Sequence, residues 1–136
     1  MKILLSAVML VIVTFAACKK ESVVTYSSNT LVAGLWTGKY SAGGGINVDW
    51  TASLKADGTC RVYETKIADT ALTSKLDGVY NISEGKLKIL AKTAGSLQIK
   101  YDAVLNSNSL EGTIIWNYIA NGIPTNTAGI ANLVKQ

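Results

Sequence analysis

Ile46-Asn47-Val48-Asp49-Trp50-Thr51-Ala52-Ser53-Leu54 decides the fold of this chain. Ile46, Val48, Trp50, Ala52 and Leu54 are apolar, and the residues between them are polar. In an extended backbone successive side chains point to opposite faces, so a period of two predicts a strand with one buried face. The same beat returns downstream. Leu97, Ile99, Tyr101, Ala103 and Leu105 alternate with Gln98, Lys100, Asp102 and Val104. Leu110, Gly112, Ile114, Trp116 and Tyr118 alternate with Glu111, Thr113, Ile115 and Asn117. No stretch shows a helical stripe of apolar residues.

Turn residues separate the alternating runs: Gly43-Gly44-Gly45, Asp57-Gly58, Glu84-Gly85, Ala94-Gly95 and Asn106-Ser107-Asn108. Glycine accepts a positive φ, and Asp or Asn side chains bond to nearby backbone, so these dipeptides suit tight reversals. Runs and turns together predict about eight strands, at 35–41, 45–55, 59–66, 75–83, 86–92, 96–105, 109–118 and 127–135. Most connections are short, so neighbours in sequence are expected to pair as antiparallel hairpins. Residues 67–74 and 119–126 read as longer loops, and Pro124, the single proline, falls in the second, clear of any ladder. Such strands close into an up-and-down barrel or stack as a sandwich. Closure removes exposed edges, which favours an all-β, eight-stranded antiparallel barrel. At that size the bore is filled by side chains or holds one small ligand. A barrel embedded in a membrane needs an apolar outer face, and here that face carries Lys, Asp, Asn, Glu and Thr.

The chain opens differently. Met1-Lys2, an apolar run from Ile3 to Phe15 and then Ala16-Ala17-Cys18 have the charged head, apolar middle and small-residue exit of a secretory signal. The run is shorter than the ~20 apolar residues of a permanent span. Small residues followed directly by cysteine resemble a bacterial lipobox. The resemblance implies that residues 1–17 are removed and that Cys18 becomes a lipidated N-terminus. Residues 18–33 are rich in Ser, Thr and Asn and lack periodicity, and they read as a tether that holds a domain at 34–136 off the membrane.

Gly34-Leu35-Trp36-Thr37-Gly38-Lys39-Tyr40 resembles the Gly-x-Trp signature that begins the lipocalin and avidin barrels, the calycin group. Three further stretches are similar to small lipocalin-like lipoproteins of Gram-negative bacteria. They are Ala56-Asp57-Gly58-Thr59, Gly78-Val79-Tyr80-Asn81-Ile82 before Glu84-Gly85, and Leu110-Glu111-Gly112-Thr113 with Trp116. The resemblance implies that Trp36 plugs one end of the barrel. It also implies a place in the cell envelope of a Gram-negative bacterium, as an outer-membrane lipoprotein facing the periplasm or the cell surface. It names no ligand, because such barrels host many.

The 136 residues carry 13 basic and 9 acidic side chains and no histidine. The lysines are spread singly along the strands, which argues against nucleic acid as a partner. Without histidine the commonest general base and metal ligand is missing. No cysteine and carboxylate spacing suits zinc, and Gly43-Gly44-Gly45 lacks the partners of a phosphate loop. No cofactor is expected. With Cys18 lipidated, Cys60 has no disulfide partner and reads as a buried thiol. Asp49, Asp77, Asp102 and Glu111 face outward by parity. Glu64 differs: it shares a face with Cys60 and Val62 and falls near the barrel mouth.

Trp50, Tyr80, Tyr101, Trp116 and Tyr118 share the inward parity, and with Glu64 they form the candidate ligand-binding set. Aromatic faces stack on apolar or sugar-like ligands, and polar tips orient them. The reading is a non-enzymatic, lipid-anchored envelope barrel that binds a small apolar or amphipathic ligand in an aromatic-lined interior. The alternative is a structural or interaction lipoprotein whose barrel is filled by its own side chains. The expected partners are the membrane through Cys18, a small hydrophobic ligand and, in the alternative, an envelope protein. Cys18→Ser is expected to alter processing and to strip the protein from the membrane fraction. A variant that is processed normally and still sediments with membranes refutes the anchor.

Overall fold

In the computed structural model the described residues are 28–42, 45–65, 75–93 and 97–136. The signal, Cys18, residues 19–27 of the expected tether and the expected loop at 67–74 lie outside them. A short helix, α1 (Ser28–Val32), precedes eight strands: β1 (Gly34–Ala42), β2 (Ile46–Leu54), β3 (Thr59–Tyr63), β4 (Lys75–Ser83), β5 (Lys86–Lys92), β6 (Gln98–Asn106), β7 (Ser109–Ala120) and β8 (Ile123–Lys135). Each strand pairs antiparallel with the next, and β8 returns to β1, so the sheet closes as an up-and-down barrel. The closing ladder runs from Trp36 opposite Lys135 to Ala42 opposite Gly129.

The alternation places the core as expected. On β5, Leu87, Ile89 and Ala91 are buried, while Lys86, Lys88, Leu90 and Lys92 are exposed. Trp50, Tyr101, Ile99, Leu110, Ile114 and Leu133 fill the centre and are fully buried. Each large side chain buried this way contributes about 1.5–3 kcal/mol. Ile46 departs from the pattern and is 71% exposed. It shares the inward face of Val48 and Trp50 but lies at the strand's end, beyond the reach of the core.

Two expectations need correction. Residues 119–126 are not a loop. β7 runs to Ala120 and β8 starts at Ile123, joined by Asn121-Gly122 alone. Both turn residues have positive φ (52° and 78°), the conformation whose twist matches a two-residue hairpin. Pro124 therefore sits inside β8, opposite Ile119. It is tolerated there because β1 reaches only as far as Gly129 on the other side of β8. From residue 118 on β7 to residue 128 on β8 the hairpin stands beyond both neighbouring strands. The second correction concerns the stretch expected as tether up to residue 33, whose last residues form α1. β3 also ends at Tyr63, three residues earlier than expected.

One helical turn is too short to hold itself in water. α1 is held by donors from three strands; two of them satisfy the carbonyls of Leu31 and Val32, which the helix end leaves free, and the third shares Asn29 O with Ala33 N–H. Trp36 Nε1 donates to Val32 O (2.8 Å), the Tyr80 hydroxyl to Asn29 O (3.1 Å) and Lys135 Nζ to Leu31 O (3.0 Å). Val32 is fully buried, Trp36 is 1% exposed, and the Lys135 ammonium lies 5.8 Å from the centre of the Trp36 ring. Trp36 and Val32 thus seal one end of the barrel, the floor. Trp36→Ala removes the plug and the clamp on α1 together, and a loss of about 3–5 kcal/mol is expected in urea unfolding. A midpoint equal to that of the native chain would show that the floor does not depend on this side chain.

Candidate functional site

The opposite end, where β1 leads into β2 and the Asn121-Gly122 hairpin stands out, holds the candidate site. Its position follows from strand parity. On β1 the inward positions after the plug are Gly38 and Tyr40. On β7 they are Ile114, Trp116 and Tyr118. Between them β8 presents only small groups on this face, Thr127, Gly129 and Ala131. The Tyr40 and Trp116 rings therefore meet across it, with centroids 4.2 Å apart and planes tilted by 43°.

Glu64 reaches the pair from the segment after β3. Thr51 holds that segment. It was expected on the solvent face of β2, yet it is fully buried, and its Oγ1 donates to Thr65 O (2.9 Å). The half-buried Glu64 carboxylate then receives two uncharged donors on one oxygen. The Tyr40 hydroxyl reaches Oε1 at 3.0 Å and Trp116 Nε1 reaches it at 3.1 Å. Among the described residues Oε2 has no partner.

Trp50 lies one inward position deeper than Val48, which is opposite Tyr40. Its ring meets Tyr40 (6.5 Å) and Tyr101 (4.9 Å) at nearly right angles. Such edge-to-face contacts suit the ring quadrupoles. Its Nε1 is buried and has no acceptor. A buried N–H without a partner costs about 1–3 kcal/mol.

The structure divides the candidate set by depth. Glu64 and Trp116 converge with Tyr40 at the mouth, Trp50 packs beneath them in the centre, and the half-buried Tyr118 is the next inward residue beyond Trp116. Tyr101 lies in the core, its hydroxyl shared between Leu110 O (2.9 Å) and Ala131 O (3.1 Å). Tyr80 lies at the floor, where its hydroxyl also reaches Lys55 O. Neither of these two hydroxyls is free for a ligand. Tyr40 was missed as a site residue, although it shares the parity of Trp36 and Gly38.

Burial keeps the three tyrosines protonated. It is the leading cause of the rise in the Tyr40 hydroxyl's pKa, well above the ordinary 10, and the Glu64 charge and its hydrogen bond add to it. Burial also leads in raising Tyr101 and Tyr80. The Cys60 thiol is pushed up to about 12 by burial and, less, by Asp77, which leaves it unreactive as a nucleophile. The outward carboxylates pair with exposed cations: Asp49 with Lys39 (3.0 Å), Asp77 with Arg61, and Asp102 with Lys88 (3.9 Å). Among the described residues no three His, Cys, Asp or Glu side chains cluster to hold a metal.

Comparison with protein-family models, curated proteins and solved structures finds no match. The closed eight-stranded barrel is compatible with a lipocalin-like fold.

Tyr40→Phe leaves Glu64 Oε1 with one donor, and a loss of about 1–3 kcal/mol is expected near neutral pH. The raised tyrosines also set an alkaline limit. Below pH 10, the ordinary tyrosine value, their hydroxyls are protonated in folded and unfolded chains alike, and their contribution is whole. Above it the unfolded chain ionises first, so stability falls with rising pH until the folded hydroxyls ionise too. Urea midpoints taken between about pH 8 and 11 should fall less steeply for Tyr40→Phe than for the native chain. Parallel curves would show that Tyr40 is not shielded.

Proposed function

We propose that this protein is a non-enzymatic, lipid-anchored barrel of the bacterial envelope that binds a small amphipathic molecule at its mouth. The observation that carries the reading is Glu64, held on one oxygen by Tyr40 and Trp116, with no partner for its other oxygen among the described residues. A ligand would present a hydrogen-bond donor or a cation to Oε2 and lay an apolar body on the Tyr40, Trp116 and Tyr118 rings. A carboxylate framed by aromatic faces suits an amine better than an acid. Ile46 and Ile123, both on inward faces at this end and 71% and 65% exposed, would extend the apolar contact beyond the rings. The lipid anchor rests on the signal and Cys18.

A second reading has its own support. The centre of the barrel is occupied by Trp50, Tyr101, Ile99, Leu110, Ile114 and Leu133. A bore filled this way has no depth to offer, and an interaction protein needs none.

Indole fluorescence decides between them, because Trp116 lines the mouth and Trp50 packs directly beneath Tyr40. Dodecylamine, dodecanoic acid, sterols, aromatic metabolites and glycans are the probes. The amine is expected to shift the emission, with binding weakened by about 1–3 kcal/mol in Trp116→Ala through lost apolar contact. Should no probe alter emission or melting temperature, the filled-barrel interaction protein is the correct reading.

A further inference from the structure

The lysines that look scattered along the sequence are gathered by the strand register. Lys75, Lys86, Lys88, Lys92 and Lys100 all lie on the outer faces of β4, β5 and β6. These three adjacent strands hold five of the nine basic residues among the described positions, against two of the seven acidic ones. The rest of the described surface is close to neutral, with four basic and five acidic residues. The two carboxylates on the wall are already engaged: Asp77 with Arg61 of β3, and Asp102 with Lys88. Lys86, Lys92 and Lys100 make no ion pair with a carboxylate among the described residues, while Lys75 adds to the field on Asp77 and Lys92 lies opposite it.

Apolar side chains stand among these charges. Val79, Leu90 and Val104 point outward and are 57%, 41% and 48% exposed. Val79 is opposite Leu90, and Leu90 is opposite Lys100, so an apolar pair runs directly into a cation. Val79, Leu90, Lys88 and Lys100, with Asp102 held by Lys88, line a groove of about 340 Å³ on this wall. A wall of lysines carrying apolar side chains at the same level matches an anionic bilayer surface, where the ammonium groups meet head groups and the apolar groups reach the acyl boundary.

We propose that the β4–β6 wall lies on an anionic lipid surface, so that the barrel rests on its side with its axis along the membrane. The proposal is independent of the mouth ligand. It goes beyond a lipid anchor, which tethers a domain without choosing the face that turns to the bilayer.

The test uses the full protein purified from its own envelope and placed on vesicles of phosphatidylcholine alone or mixed with phosphatidylglycerol. Leu90→Cys on the wall and Ile130→Cys on β8 each receive a fluorophore, and Cys60 is buried from the reagent. A quencher carried in the lipid tails then reports which label touches the bilayer. Quenching is expected at residue 90 and not at residue 130, only with phosphatidylglycerol, and it should fade as salt rises. Lys92→Glu with Lys100→Glu should cut the fraction of label quenched by about tenfold with the circular dichroism unchanged. Equal quenching at the two positions, or quenching indifferent to phosphatidylglycerol, overturns the proposal. Binding of heparin or DNA without any vesicle effect also overturns it and assigns the wall to a polyanion.

Discussion

A Cβ on residue 38 would lie 1.8 Å from the backbone oxygen of Asn132. β1 and β8 come together at their middle because Gly38 has no side chain to hold them apart. Gly38 faces Leu133 on β8 and Trp50 on β2, so it also leaves room inside for the largest ring of the core. Much else follows from this approach. Closure brings Lys135 beside Trp36 and over Leu31 O, which fixes α1. It carries Tyr40 across the small residues of β8 to Trp116. A glycine inside a strand ordinarily weakens it; here it is the condition for a continuous sheet.

The period-two pattern made most of the barrel legible, because a strand with one buried face writes its geometry directly into side-chain polarity. β2 and β4 to β7 start where the pattern and the turn residues put them, to within two residues. What the pattern could not show has specific causes. α1 is a single turn held by tertiary donors, so Ser28-Asn29-Thr30-Leu31-Val32 carries no periodic signal of its own. The Asn121-Gly122 hairpin was hidden by Pro124, which suggests a loop unless the far side of β8 is known to be empty. The lysine wall was invisible for another reason: neighbours across a sheet are set by register, not by spacing along the chain.

The site was legible in part. Glu64 stood out by parity, and Trp50 and Trp116 by parity and chemistry. Their depth did not, because alternation separates inside from outside but does not measure distance along the barrel axis. Tyr80 and Trp116 share a face in sequence terms, yet one closes the floor and the other lines the mouth. The interior is therefore graded. At the floor and centre the tyrosine hydroxyls are taken up by main-chain carbonyls, and at the mouth Tyr40 turns instead to a carboxylate whose second oxygen has no partner among the described residues.

The hairpin beyond the barrel rim has a consequence for molecules meeting one another. On β8 residues 123–128 have β7 on one side and, among the described residues, no strand on the other. Such a margin invites a second chain to add itself by backbone pairing. In a two-residue hairpin the residues flanking the turn, Ala120 and Ile123, exchange both of their hydrogen bonds, so the next pair, Ile119 and Pro124, points its nitrogens outward. The outermost nitrogen at the open margin thus belongs to a proline and carries no hydrogen, whereas Asn126 and Ala128 point their N–H groups the same way. An incoming strand finds no donor at the tip of this margin, and the same ring that disguised the strand in the sequence shortens the edge on which a second chain could pair.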